Sequence, residues 1–158
     1  MEIGHWECML ASMPLKSYWI IAFIAFVAAV TGSDLVARMT ISQLSLSEAV
    51  SEHLEWASLT VVGLVFLLAP FLFVALICAK AHRKALARSA VSIFGASLLA
   101  LMYCYFGAFQ AAEQSMIDER WTAAALSIGL LPFYVGLPVI LLALGAAAIA
   151  SRLDGRPV

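Results

Sequence analysis

Charged residues are scarce in this sequence. Asp, Glu, Lys and Arg together make up 12% of its 158 residues, against about 25% in an ordinary soluble domain. Basic and acidic residues nearly balance, at nine against ten, so the excess of positive charge that is typical of nucleic-acid-binding proteins is missing. The composition therefore excludes a disordered chain and predicts no nucleic-acid partner.

Cysteine is sparse as well, and motifs for metals or cofactors are missing. The three cysteines, Cys8, Cys78 and Cys104, form no C-x-x-C pair, which excludes a disulfide scaffold and argues against a membrane thiol oxidoreductase. Neither an EF-hand loop nor an H-E-x-x-H motif is present. The sequence predicts no metal and no cofactor.

Apolar residues dominate instead. They make up 64% of the chain, whose mean hydropathy is +1.00. A helix needs about 20 mostly apolar residues to cross the hydrocarbon core of a bilayer. Four segments meet this condition, at about 17–36, 57–79, 87–112 and 123–150, and none has the alternating pattern of a membrane strand. We therefore predict an all-α, polytopic integral membrane four-helix bundle, with residues 1–158 forming a single four-span domain.

The first apolar run also resembles a signal peptide in its length. Glu2, Glu7 and a single Lys16 precede it, however, whereas a signal peptide begins with a positively charged region. We predict that it is a true span.

The basic residues predict the orientation of the bundle. Four spans place seven of them on the side of the termini: Lys16, Lys80, Arg83, Lys84, Arg88, Arg152 and Arg156. Arg38 and Arg120 are on the other side. By the positive-inside rule both termini lie in the cytoplasm, which suits a cytoplasmic (inner) membrane. Tyr18 and Trp19 would anchor the inner interface, with Trp56 and Trp121 at the outer one.

The segment from Ser45 to Ala57 carries helical periodicity of its own. Leu46, Ala49, Val50, Leu54 and Ala57 fall on one face, and three glutamates on the other. Ser45 and Glu48 have the spacing of a capping box. We predict a short amphipathic helix in the first extracytoplasmic loop, and we expect span three to continue as a helix to about Met116.

Acidic residues at the outer end form the first candidate site. The outer rim, as we name it, comprises Glu48, Glu52, His53, Glu55 and Glu113. Its oxygen ligands suit a hard cation or a basic partner, and His53 could respond to external pH. The alternative is a solvated surface, on which neutralising Glu52 and Glu55 together would be nearly silent.

The fourth span carries the second candidate site. Pro132 and Pro138 remove two backbone donors from it, so we predict a kinked or locally unwound helix. Breaks of this kind form solute sites in transporters. The candidate solute or lipid residues are Tyr103, Tyr105, Ser127, Pro132, Tyr134 and Pro138. The alternative is a long, tilted helix without a site.

A third candidate is the basic inner hairpin, which comprises Lys80, Arg83, Lys84 and Arg88. It would fix the topology and contact anionic lipid headgroups, or it would dock an acidic partner. The middle of each span holds no ionisable residue, which disfavours proton relays and ion-coupled transport.

Small residues recur at four-residue spacing in two spans. The rows are Ser92, Ala96 and Ala100 in span three, and Ala143, Ala147 and Ser151 in span four. Such rows let membrane helices approach closely, within one chain or between chains.

Three classes of function remain open. The leading expectation is a non-enzymatic integral membrane subunit or accessory protein, in which the bilayer, further copies of the chain or other membrane subunits are the partners. The second is an oligomeric pore or uncoupled small-solute transporter that uses span four. The third is an enzyme at the membrane surface that acts on a lipid-linked substrate.

Overall fold

The protein consists of four apolar helical spans. The structure is a computed structural model, and it describes residues 14–83 and 86–153. Within them the spans are Leu15–Thr40, Val61–Arg83, Ala87–Ile117 and Trp121–Leu153, and the same residues contain no strand. The prediction of an all-α protein with four helices long and apolar enough to cross a membrane is confirmed. Cys8, Lys84 and Arg156 lie outside the described residues.

Two of the spans are not continuous α-helices. Span one comprises α1 (Leu15–Val27), a π-helical segment (Ala28–Gly32) and α2 (Ser33–Thr40). Span four comprises α6 (Trp121–Gly129), a second π-helical segment (Pro132–Gly136) and α7 (Leu137–Leu153). Between them, α3 is Leu46–Leu59, α4 (span two) is Val61–Arg83 and α5 (span three) is Ala87–Ile117. The predicted interruption of span four is confirmed, and that of span one was not predicted.

The ends of the spans differ from the predicted ones for local reasons. Span one continues to Thr40 because Asp34 and Arg38, four residues apart, pair on one helix face instead of ending the helix. Thr60 alone separates α3 from span two. Span three reaches Ile117, in agreement with the expectation for Met116.

The bundle has two chemically different ends. At the hairpin end, where span two ends and span three begins, the Tyr18 hydroxyl and the His82 Nδ1 are hydrogen-bonded at 3.0 Å. The opposite end, which we call the rim end, contains the end of span one, helix α3 and the end of span three. Tyr18 is fully buried, so its assignment as an interfacial anchor is wrong. Trp19 and Trp121 are exposed, as an anchor should be.

The core is built mainly by the first three spans. Phe71 of span two contacts Phe26 of span one and Tyr105 of span three edge to face, with ring centroids 5.7 and 5.2 Å apart. Such pairs stabilise beyond the area that they bury. Span four contributes little to this core, since 11% of its most apolar 18-residue stretch is buried, against 33–44% in the other spans.

Span four approaches span two closely at Gly136. Gly136, at the end of the second π-helical segment, lies against the ring of Pro70. A Cβ at residue 136 would lie 2.4 Å from the Cγ of Pro70, which is shorter than any van der Waals contact. Pro70 and the second π-helical segment therefore fit together because residue 136 has no side chain.

Candidate functional site

The rim end contains a buried group of charged side chains, which we call the ionic cluster. It is formed by Asp34, Arg38, Ser42, Glu52, His53 and Glu113. These residues come from the end of span one, the turn that follows it, helix α3 and span three. Asp34, Arg38, His53 and Glu113 are each less than 9% exposed.

Asp34 is the centre of this cluster. Its Oδ2 accepts a hydrogen bond from the Arg38 Nε at 2.8 Å and lies 2.9 Å from the His53 Nδ1. Both partners are fixed by local geometry, because Arg38 follows one helical turn later and His53 lies on the buried face of α3 beside Ala49. One carboxylate oxygen thus joins span one to α3.

Arg38 extends the cluster to two further carboxylates. Its terminal nitrogen forms an ion pair with Glu52, whose side chain is 49% exposed. Glu113 attracts the guanidinium electrostatically and accepts a hydrogen bond from the Ser42 hydroxyl. Three carboxylates therefore surround one guanidinium and one imidazole. Buried charges of this kind are tolerated only when they are paired.

The predicted outer rim is thus divided between two environments. His53 and Glu113 are buried in the ionic cluster, whereas Glu48 and Glu55 are exposed. Glu52 is not a plainly solvated residue, because it holds Arg38. The expectation that neutralising Glu52 together with Glu55 is silent is therefore revised: the change should destabilise the protein.

Helix α3 begins with a capping box. The Ser45 side chain accepts a hydrogen bond from the Glu48 backbone, and the Glu48 carboxylate accepts one from the Ser45 backbone. The hydrogen bonds from Ser45 lower the pKa of Glu48. On the predicted apolar face, Ala49 is buried, but Leu46, Val50 and Leu54 are exposed. Much of that face is therefore open to the membrane surface or to a partner.

The ionic cluster consists of side chains of opposite charge that pair with one another. Within residues 14–83 and 86–153, no group of three or more His, Cys, Asp or Glu side chains has the arrangement of a metal site. The charges of the cluster instead bond one another across three chain segments. What the arrangement can do is hold α3 against spans one and three.

Two tyrosines of the second candidate site bond to backbone carbonyls near prolines. Tyr105 donates its hydroxyl to the Leu67 carbonyl at 2.7 Å, next to the Phe66 carbonyl that Pro70 leaves without its usual donor. The Tyr134 hydroxyl likewise donates a hydrogen bond to the Ser127 carbonyl, beside the break in span four. Tyr103 is 79% exposed. Pro132 lies half-buried at the break, and Pro138 is exposed in the first turn of α7.

Replacing Tyr105 by phenylalanine should lower the stability of the bundle by about 1 kcal/mol. The change removes a buried hydrogen bond between spans two and three, and such bonds contribute about that amount. Thermal unfolding in detergent measures the loss. Tyr103→Phe removes the same atom from an exposed position and should be silent, so equal effects of the two changes would contradict the assignment.

Three apolar grooves flank span four. The rim-end groove, about 460 Å³, lies between spans two and four and is lined by Trp56, Gly63, Phe66, Gly129, Pro132 and Phe133, among others. The hairpin-end groove, about 560 Å³, lies between the same spans at the other end. A smaller one of about 240 Å³ lies between spans three and four, where Ala96 and Ala100 face Ala143. Residues of both small-residue rows therefore line one groove of this chain.

The basic residues of the inner hairpin lie at the hairpin end. Lys80 lines the hairpin-end groove, and Arg83 and Arg88 are exposed. The last turn of span four adds the exposed Arg152. Every acidic residue within the described ranges lies at the rim end, so the described residues of the two ends carry opposite net charge.

Comparison with known proteins identifies no relative. No family model matches the sequence, and neither a curated protein nor a solved structure matches it.

Sequence reasoning missed Asp34 and Arg38 as members of a site. Arg38 counted only as a basic residue on the side opposite the termini, and Asp34 had no assignment. Their spacing carried a usable signal, because an acid and a base four residues apart within an apolar helix share one face and can be buried as a pair. The other members of the ionic cluster could not be predicted from spacing. Ser42 and Glu113, for example, are hydrogen-bonded to each other but lie 71 residues apart in the sequence.

Proposed function

We propose that the protein is a small, non-enzymatic integral membrane subunit that assembles with copies of itself or with other membrane proteins. The observation that carries this proposal is the isolation of span four. Only 11% of its most apolar stretch is buried within the chain, although this span is as long as any other. Its free surface is available for a neighbouring helix.

The residues on that surface favour a protein neighbour. Gly145 is exposed on span four, and a Cβ there would meet nothing within 4 Å. A glycine inside a helix costs about 1 kcal/mol relative to alanine, and no contact of the described fold requires it. Small residues at an exposed position allow another helix to approach closely. Leu141 and Ile149, one turn away on either side, are also exposed and would pack around that contact.

The proposal includes an orientation. Lys16, Lys80, Arg83, Arg88 and Arg152 are at the hairpin end, whereas Arg38, one of the two basic residues at the rim end, is buried in the ionic cluster. The positive-inside rule then favours a cytoplasmic hairpin end and cytoplasmic termini, in a cytoplasmic membrane. In this orientation α3 is an amphipathic helix at the outer surface, and its exposed Glu48 and Glu55 face partners.

Site-specific photo-crosslinking in intact membranes tests the assembly. A photoreactive side chain at residue 145 should give a discrete cross-linked protein product, a dimer of this chain or an adduct with one other polypeptide. The matched control is residue 99 on span three, where Leu99 is 70% exposed. Adducts with lipid alone at both positions would contradict the proposal.

A second candidate function is a pore or an uncoupled small-solute transporter. The observation in its favour is the break in span four, where the α-helix stops at Gly129 and a π-helical segment follows beside the rim-end groove. If this function is correct, the purified protein should conduct a solute into liposomes, and Pro132→Ala or Pro138→Ala should abolish the flux. Absence of flux for the parent protein would contradict this second function and leave the membrane subunit as the proposed one.

A further inference from the structure

The hairpin-end groove has the polarity of a membrane lipid. Its walls are formed by apolar side chains of spans two and four, among them Phe73, Ile77, Leu144 and Ala147. Lys80 and Ser151 add polar groups where the two spans reach the hairpin end. The groove is thus apolar along the spans and cationic at the end where lipid headgroups lie.

We propose that this groove binds one anionic phospholipid, with an acyl chain between spans two and four and the phosphate at Lys80. The proposal goes beyond assembly, because the lipid would occupy the groove whether or not span four contacts another protein. Basic pockets between membrane helices are a recurring way to hold anionic headgroups.

Charge complementarity selects the anionic headgroup. Lys80 is exposed and forms no salt bridge with any residue in the described ranges. Arg83 and Arg152, both exposed, follow within one turn of the groove residues Lys80 and Ser151. All acidic side chains of the described ranges lie at the opposite end, so none of these side chains competes with a phosphate for these cations.

The rim-end groove provides an internal comparison. It is also apolar and lies between the same two spans, but none of its lining residues is charged. Its chemistry suits acyl chains of any lipid. Selectivity for an anionic headgroup should therefore depend on the hairpin end alone.

The experiment compares two lipids with the same acyl chains. The protein is purified in a neutral detergent, and phosphatidylglycerol or phosphatidylcholine is added in increasing amounts while thermal unfolding is followed. A lipid that binds the folded protein raises its melting temperature by mass action. We expect phosphatidylglycerol to raise the melting temperature at concentrations where phosphatidylcholine has no effect.

Two variants locate the effect in the groove, each with a matched control. Lys80→Gln should weaken the response to phosphatidylglycerol by about fivefold, as expected for one basic residue near an anionic headgroup. Lys16→Gln makes the same change at an exposed position of the same end and should keep the parent response. Ala148→Leu fills the groove and should reduce the response, whereas Ala111→Leu, on the exposed surface of span three, should not.

Three results would overturn the proposal. The first is an equal response to the two lipids, and the second is a Lys80→Gln variant that responds as the parent does. The third is an equal rise with glycerophosphate alone, which would show that the site holds a phosphate group and no acyl chain.

Discussion

Replacing Arg38 by methionine should lower the free energy of unfolding by about 3–5 kcal/mol, the cost of breaking a buried ion pair on one side. The change leaves Asp34 and Glu113 buried without their cation, and methionine has no donor to replace the bonds of the guanidinium. Thermal or denaturant unfolding in detergent measures the effect. Removal of the Asp34 charge by Asp34→Asn should also destabilise, because Arg38 and His53 then lose their common partner.

The matched control is Arg120→Gln, which removes a basic charge at the same end from an exposed turn. Surface substitutions of this kind usually change stability by less than about 0.5 kcal/mol.

Loss of the ionic cluster should also increase local opening of the structure at α3. In Arg38→Met, the backbone amides of α3 should exchange with deuterium faster, while those of span two should change little. Equal stability of the Arg38 and Arg120 variants would show that the cluster does not hold α3.

The substitution Gly136→Ala should lower stability by about 1–3 kcal/mol, as overpacking does in a tight contact, and should move span four away from span two. The added methyl would lie 2.4 Å from the Cγ of Pro70, and a proline ring cannot rotate out of the way. Gly107→Ala in span three is the control, since a Cβ there also meets open space. That variant should be neutral or slightly more stable, because alanine is the better helix former.

A double-mutant cycle separates the clash from other effects of Gly136→Ala. Pro70→Ala removes the ring atom that the new methyl would meet, so the two changes together should cost less than the sum of the single changes. The Cβ of residue 70 remains 2.9 Å away, so the relief should be partial. Strict additivity would show that Gly136 is needed for some reason other than its contact with Pro70.

The spans could be predicted from the sequence because their signals are local. Each span is a continuous apolar run, and its length alone indicates that it can cross a bilayer. The interruption of span four could likewise be predicted from Pro132 and Pro138, since a proline lacks the backbone N–H donor wherever it lies in a helix. Ser45 and Glu48 occupy neighbouring positions of one helical turn, and their mutual hydrogen bonds are present in the structure.

The ionic cluster and the grooves could not be predicted because they depend on tertiary contacts. Asp34 meets His53 only when α3 folds back on span one, and Glu113 meets Ser42 across most of the chain. The sequence places seven acidic residues at one end but does not show which of them are buried. The hydrogen bond from Tyr105 to the Leu67 carbonyl forms because spans two and three pack together. The sequence does not show this contact, so the assignment of Tyr105 to a solute site was based on residue type alone.

The most direct test of the proposed assembly is native mass spectrometry of the protein extracted from its membrane in a mild detergent. We expect a species heavier than the 17.0 kDa chain, either a multiple of that mass or the chain together with one defined polypeptide. Gly145→Leu should shift that species toward the single chain. A parent protein that remains a single chain, with no bound polypeptide under conditions that preserve known membrane complexes, would contradict the account.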